Sequence, residues 1–206
     1  MKKITSRQKI LRCAEMLFAE KGYDGARIDR IASEARVNKA LIYYYFKSKR
    51  GVLEELFRNF LHESSEKMMA YVRDGGLDGS PSEEAQQSIE EYFGMFEKKR
   101  DILRIMLMES LKEGGGSPAL FNLVDFSGVL SEQEMEYFSK ESGMSSEEMN
   151  QMLVTEFFTG VMPLLAYVLL RKRWCEHFKV PEDKMKKYFD RAMDMTHHAY
   201  HKKMGK

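Results

Sequence analysis

The amino-acid sequence predicts an all-α protein with an N-terminal three-helix domain, which contains a helix-turn-helix, and a larger helical domain behind it. Two sequences of the capping-box form, Thr5-x-x-Gln8 and Ser145-x-x-Glu148, mark helix starts at opposite ends of the chain. Apolar residues recur at intervals of three and four, beginning with the stripe Ile10, Ala14, Leu17 and Phe18. No segment shows a convincing strand pattern. Together these observations favour helices throughout.

The first fifty residues divide into three short helices. Helix 1 is expected from about Ser6 to Lys21, ending at Gly22, where a left-handed residue is favourable. Helix 2 presents an apolar face made of Ile28, Ile31, Ala32 and Ala35. A tight turn leads to the basic, tyrosine-rich helix 3 at residues 38–46, which fits a helix-turn-helix. In helix 3, Ile42 and Phe46 should face the core.

The sequence after residue 50 predicts further helices separated by glycine-rich loops. Ser48 should cap a long helix 4, and Ser80-Pro81 should open helix 5. A shorter helix is expected over residues 131–139. Ser145 opens a helix that reaches Phe178 with a kink near Pro163. We therefore predict two domains, a helix-turn-helix domain at 1–50 and a helical domain at 51–206.

Charge is distributed unevenly along the 206 residues. The formal net charge is only +1, but residues 1–50 hold 13 Lys and Arg against 5 Asp and Glu, whereas residues 51–206 hold 20 against 27. A basic first quarter on an acidic body indicates a polyanionic partner such as DNA. A merely solvated basic surface is the alternative explanation.

Cysteine usage and hydropathy predict a cytoplasmic protein. Cys13 and Cys175 are the only cysteines and have no metal-site spacing, which suggests a reducing compartment without disulfides. The longest uncharged run, residues 157–170, has 14 residues and includes Gly160 and Pro163. This is shorter than the roughly 18–20 residues that a membrane span needs, so we interpret it as a buried helix.

The first quarter of the chain resembles the DNA-binding domain of the TetR family of transcriptional regulators. The resemblance lies in Ile10-x-x-x-Ala14-x-x-x-Phe18-x-x-x-Gly22-Tyr23 and Ile31-Ala32-x-x-Ala35-x-Val37-x-Lys39-x-x-Ile42-Tyr43-x-Tyr45-Phe46-x-Ser48-Lys49. It covers residues 5–53. Beyond residue 53 the chain resembles the family only in its arrangement of helices, of which the last two are long and apolar.

The resemblance implies DNA contacts at nine positions. Those near base edges or the groove wall are Lys39, Ala40 and Tyr43, and those near phosphates are Asn38, Tyr44, Tyr45 and Lys49. Arg27 stands where the family usually has Ser or Thr, and Arg36 replaces the usual turn glycine. Both arginines are expected to contact phosphate.

The family body carries an effector pocket and a dimer interface, for which this chain offers candidates. Buried carboxylates need partners and methionine suits adaptable pockets, so the ligand candidates are Met95, Met106, Glu109, Phe121, Glu156, Phe158 and Met162. Ordinary core packing is the alternative for each of them, and an apolar or cationic effector fits the set. The expected dimer interface consists of Leu170, Trp174, Phe178, Met185, Tyr188, Ala192, Met195 and Ala199.

The resulting hypothesis is a homodimeric repressor that a small molecule releases from a palindromic operator in double-stranded DNA. The rival is a structural or nucleoid DNA-binding protein without an effector. An enzyme is disfavoured because there is no glycine-rich phosphate loop, nucleophile elbow or paired-carboxylate motif. His197 and His201 have metal-ligand spacing but no nearby acidic or cysteine ligand, so we expect neither a metal nor a cofactor.

Overall fold

A computed structural model of the chain describes residues 4–75, 82–112, 118–124 and 145–204. These residues form helices and the turns between them, and no strand occurs within the described ranges. The all-α prediction is therefore confirmed. The chain divides into two compact units, the first made of Met1–Glu63 and Lys99–Leu120 and the second of Ser64–Lys98 and Phe121–Lys206.

The first unit contains the three predicted N-terminal helices and one later helix. Its elements are α1 (Ser6–Gly25), α2 (Ile28–Ala35), α3 (Lys39–Phe46), the first part of α4 (Lys49–Arg73) and α6 (Arg100–Ser110). α6 packs against α1. The core includes Ile10, Phe18, Ile31, Ile42, Leu53 and Met106, each less than 2% exposed. Because α6 joins this core, the compact unit differs from the division predicted after residue 50.

The second unit is built from the end of α4 and the remaining helices. These are α5 (Glu83–Lys98), α7 (Ser146–Thr155), a π-helical segment (Glu156–Val161), α8 (Met162–Phe178), α9 (Glu182–Met195) and α10 (His197–Met204). A short 3-10 helix covers Pro118–Leu123. The Tyr167 and Phe189 rings stack with centroids 4.5 Å apart, which holds α8 against α9. The short helix predicted at 131–139 lies outside the described residues.

Local capping determines where several helices begin, as the sequence predicts. Thr5 and Gln8 form a reciprocal capping box at α1, and Ser145 and Glu148 form another at α7. The Ser48 hydroxyl accepts a hydrogen bond from the Gly51 amide at 3.0 Å. Gly22 has φ +72°, a conformation that glycine adopts without strain.

Two further predictions concern the start of α5 and the helix around Pro163. α5 begins at Glu83, and the hydroxyl of Ser82 accepts from the Ala85 amide at 3.1 Å, whereas the predicted opening residues Ser80 and Pro81 lie outside the described residues. The helix from Ser146 reaches Phe178, as predicted, and contains a π-helical segment that ends at Val161, two residues before Pro163. The wider turn of a π-helical segment can accommodate a proline within a continuing helix.

The continuous helix over Glu147–Phe178 is long and apolar enough to cross a bilayer by length and composition alone. Only 22% of its most apolar window is buried. The expectation of a buried core helix is therefore met for residues such as Leu165 and Val168, but one face of the helix is apolar and uncovered.

Candidate nucleic-acid interface

A left-handed residue sets the turn between α2 and α3. Arg36 has φ 53° and ψ 49°, and the Val37 amide donates to the Ala32 carbonyl at 3.0 Å, which closes the end of α2. A left-handed conformation costs a non-glycine residue about 1–2 kcal/mol. The arginine side chain is exposed at this turn.

Asn38 and two buried side chains fix α3 in the first unit. The Asn38 carboxamide oxygen accepts from the Ala40 amide at 2.8 Å, which caps the start of the helix. Ile42 is fully buried and Phe46 is 6% exposed, as predicted. The opposite face of α3 is consequently exposed to solvent.

Three adjacent tyrosines occupy much of that solvent-facing surface. Tyr43 is 43% exposed, Tyr44 is 70% exposed and Tyr45 is 39% exposed. The rings of Tyr44 and Tyr45 meet edge to face with centroids 5.3 Å apart. Three exposed phenols on one short helix form a surface suited to contacts with phosphates, sugars and base edges.

Cationic side chains surround the tyrosines. Arg27 precedes α2 and makes no capping hydrogen bond with its side chain, and Arg36 and Lys47 are exposed on either side of α3. The Lys39 ammonium lies 2.6 Å from an Asp29 carboxylate oxygen. Of the nine residues predicted to contact DNA, eight are exposed on α2, α3 or the residues that flank them.

Lys49 is the ninth residue, and its environment differs from that of the other eight. Its half-buried ammonium donates to the backbone carbonyls of Tyr23 at 2.9 Å and Ala26 at 3.1 Å. It also lies 4.4 Å from the centroid of the Tyr23 ring. Any phosphate contact by this ammonium must therefore compete with acceptors of its own chain.

A buried carboxylate connects α6 with this region of the first unit. Glu109 is 3% exposed and lies 2.6 Å from the Lys112 ammonium and 3.6 Å from Arg50. Lys112 also pairs with Asp24 at 2.7 Å, and this hydrogen bond is the largest cause of its raised pKa. The Glu109 carboxylate thus has cationic partners within the protein, as a buried carboxylate requires.

The other ligand candidates are distributed over the two compact units. Met106 lies in the first unit with Glu109, whereas Met95, Phe121, Glu156, Phe158 and Met162 lie in the second. Met95 is buried, but Phe121 and Phe158 are exposed. A carboxylate oxygen of Glu156 lies 3.7 Å from Nε2 of His197. The ligand site therefore remains a prediction from the sequence.

Sequence reasoning missed a polar group within the core of the second unit. Burial raises the pKa of Tyr92 to about 12, with a smaller raising effect from the negative charge of Glu156. A hydrogen bond with the buried Ser64 acts in the opposite direction. An apolar stripe containing a tyrosine gave no signal that this phenol would be enclosed.

The residues predicted for the dimer interface lie on α8, α9 and α10. Most of them are large and uncovered in the single chain, namely Leu170, Trp174, Phe178, Tyr188 and Met195. Ala192 is also exposed, whereas Met185 and Ala199 are half-buried. The Trp174 and Phe178 rings lie in contact, with centroids 4.7 Å apart.

An eight-residue helix with an exposed basic and aromatic face, joined by a tight turn to a second short helix, defines a helix-turn-helix protein. Residues 10–56 match the family model described as bacterial regulatory proteins, tetR family. The chain is 32% identical over 107 residues to the "Probable HTH-type transcriptional regulator YttP" of Bacillus subtilis. It is 45% identical over 49 residues to the "Biofilm operon icaADBC HTH-type negative transcriptional regulator IcaR" of Staphylococcus aureus.

A solved structure extends the similarity of fold to nearly the whole chain. A transcriptional regulator of the TerR/AcrR family from Aquifex aeolicus matches with a TM-score of 0.60 at 15% identity, over 93% of this chain and 99% of that one. Residues 10–56 thus match the tetR family of bacterial regulatory proteins, and the chain as a whole shares the fold of these regulators.

The sequence matches themselves are shorter. They cover 52% of this chain and 51% of YttP, and 24% of this chain and 26% of IcaR. The chain therefore matches about half the length of YttP and about a quarter of the length of IcaR.

Proposed function

We propose that this protein is a sequence-specific DNA-binding transcriptional regulator that acts as a homodimeric repressor. The observation that carries the proposal is the face of α3 on which Lys39, Ala40 and Tyr43 are exposed while Ile42 and Phe46 anchor the helix. An α-helix fits the major groove of B-DNA, where base pairs present distinct hydrogen-bonding patterns. The names of YttP and IcaR support a role in transcription, and that of IcaR supports repression.

Contacts to DNA divide into two kinds in this proposal. Lys39, Ala40 and Tyr43 meet base edges or the groove wall, so they select sequence. Phosphate contacts set position and salt dependence, and they come from the remaining candidates, which are Arg27, Arg36, Asn38, Tyr44, Tyr45 and Lys49. The start of α3 at Asn38 also favours a phosphate through its helix dipole.

Dimerisation supplies the second half of the binding surface. One helix-turn-helix makes few contacts, whereas a two-fold dimer doubles them on a palindrome with half-sites about 34–36 Å apart. The uncovered apolar residues of α8 and α9 support pairing into a four-helix bundle. This pairing would cover the apolar face of the helix over Glu147–Phe178, which agrees with a cytoplasmic protein.

Regulation in the proposal comes from a small apolar or cationic effector. α4 is one continuous helix from Lys49 to Arg73, and it follows α3 after two residues. An effector that displaces its later turns changes the spacing of the two α3 helices. It releases DNA only if it binds the non-docking conformation better than the docking one.

The experiment that tests DNA recognition is selection of bound duplexes from a random pool. We expect enrichment of an inverted repeat with one duplex turn between half-site centres. Tyr43→Ala should then relax preference at particular base pairs, because a base-edge contact is lost. Tyr44→Ala should instead weaken binding to all sequences by the same factor, because phosphate contacts carry no sequence information.

A different outcome would favour the rival function. Binding without sequence preference would contradict a specific regulator and support a structural DNA-binding protein. If a specific duplex is selected, apolar and cationic compounds can be titrated against the bound complex. Failure of every compound to release DNA would remove the effector from the proposal while leaving sequence recognition intact.

A further inference from the structure

Acidic residues are scarce around the basic face of α3. Between residues 25 and 53 the sequence contains only Asp29 and Glu34, both exposed on α2. A carboxylate near a DNA surface repels phosphates. These two acids therefore need an explanation in a region that otherwise carries positive charge.

The two acids have different partners. Asp29 lies in the first turn of α2 and pairs across the helix-turn-helix with Lys39 of α3, with oxygen and nitrogen 2.6 Å apart. Glu34 pairs within α2 with Arg30, at 2.8 Å and one helical turn away. Only the first pair engages a residue proposed to meet base edges.

An ion pair at this place changes what a lysine can recognise. A lysine ammonium is a compact charge with three donors on a flexible stem, so alone it can donate to any nearby phosphate or base acceptor. Lys39 donates one hydrogen bond to Asp29 and keeps two donors, an arrangement that suits the paired acceptors O6 and N7 of guanine. The carboxylate itself can accept from a cytosine amino group but from no phosphate.

We propose that Asp29 is a positioning residue that gives Lys39 its base specificity, by holding the ammonium at the start of α3 and disfavouring its contact with phosphate. The proposal rests on the DNA binding proposed above. Asp29 and Lys39 then meet the duplex as one unit. A neutral residue at position 29 leaves the lysine free to contact phosphates of any sequence.

The test compares Asp29→Asn with Glu34→Gln. Each substitution removes one negative charge from an exposed site on α2 and nearly preserves side-chain shape. The general gain in DNA affinity from removing that charge is therefore the same in both variants. Affinities are measured by fluorescence anisotropy for the selected duplex and for a scrambled duplex, over a series of salt concentrations. Thermal unfolding of both variants checks that the fold is retained.

We expect Asp29→Asn to lower the affinity ratio of selected to scrambled duplex by about fivefold or more, the lower end of the discrimination typical of one good base contact. For scrambled DNA, the plot of log binding constant against log salt concentration should become steeper by up to about 0.9, which corresponds to one more phosphate contact. Glu34→Gln should change the ratio by less than about twofold, since its partner Arg30 reads no base.

A double-mutant cycle locates the effect at Lys39. In a Lys39→Ala background, Asp29→Asn should alter the ratio no more than Glu34→Gln does. Equal effects of the two acid substitutions in the wild-type background would overturn the proposal, as would an undiminished effect of Asp29→Asn without Lys39. If the wild-type chain selects no sequence at all, the proposed sequence-specific function fails, and this outcome is distinct from the other two.

Discussion

At the scale of single residues, Lys49 shows how a cation in a basic surface can have a structural role. Its ammonium reaches from the start of α4 to the carbonyls of Tyr23, Asp24 and Ala26, which lie at the end of α1 and just after it. It also lies over the Tyr23 ring, where a cation–π interaction adds to the hydrogen bonds. This side chain therefore joins α1 and α4 within the first unit. Hydrogen bonds to charged groups contribute about 1.5–3 kcal/mol to stability.

We predict that Lys49→Ala lowers the free energy of unfolding by about 1–3 kcal/mol, because the carbonyls lose a charged donor. Lys47→Ala is the matched control, since Lys47 is exposed and donates only to the Tyr44 carbonyl at 3.4 Å. It should change stability by no more than about 0.5 kcal/mol. Urea unfolding of both variants provides the measurement, and equal losses would contradict the structural role.

The same two variants bear on the contact of Lys49 with DNA. A phosphate contact by its side chain would make the log-log salt slope of binding less steep by about 1 in Lys49→Ala. An unchanged slope together with reduced stability would assign the residue to the fold alone.

At the scale of elements, the junction between α3 and α4 is compact. Only Lys47 and Ser48 separate the two helices, and Lys47 has φ +66°. A Cβ atom built on Gly51 would lie 1.9 Å from the carbonyl oxygen of Phe46. The first turn of α4 can therefore approach the end of α3 only where residue 51 has no side chain.

We predict that Gly51→Ala lowers the free energy of unfolding by about 1–3 kcal/mol or more, the range typical of an overpacked site. DNA affinity should also fall, because relief of the clash moves α3 relative to α4. Chemical unfolding and anisotropy titration with the selected duplex measure the two effects.

Gly94→Ala in α5 is the control for helix propensity. A Cβ atom there would meet nothing within 4 Å, so alanine should stabilise the helix by roughly 0.5–1 kcal/mol. If both alanine variants were equally stable, the close approach at Gly51 would not restrict this junction.

At the scale of the whole molecule, the sequence predicts best what depends on near neighbours in the chain. The capping boxes at Thr5 and Ser145 and the cap at Ser48 were predictable because each involves residues three apart. The exposed face of α3 was predictable because its buried positions are spaced four apart. The family spacing then assigned roles to its residues.

Tertiary contacts account for what the sequence did not predict. The pairing of Asp29 with Lys39 joins residues on different helices, although the scarcity of acids nearby was a usable signal. The packing of α6 on α1 and the pairing of Glu109 with Arg50 depend on residues more than about fifty positions apart. No local periodicity contains that information.

The uncovered apolar face of α8 and α9 makes a prediction about assembly. A soluble monomer rarely exposes a large contiguous apolar patch, and here Trp174, Phe178 and Leu170 follow one another at turns of α8. We predict that the wild-type chain sediments with the mass of two chains. Trp174→Glu should shift it toward the mass of one chain, because an unpaired carboxylate would be buried at the interface.

Met108→Glu is the matched control, since Met108 is an exposed apolar residue on α6, a helix that holds none of the predicted interface residues. It should leave the mass of two chains unchanged in analytical ultracentrifugation at the same concentrations. Monomeric Trp174→Glu should retain weak binding to a half-site but lose the gain in affinity from a second half-site, because the two helix-turn-helices are no longer joined. A wild-type chain that sediments as a monomer, or a Trp174→Glu chain that remains dimeric, would place the interface elsewhere and leave this apolar face to another partner.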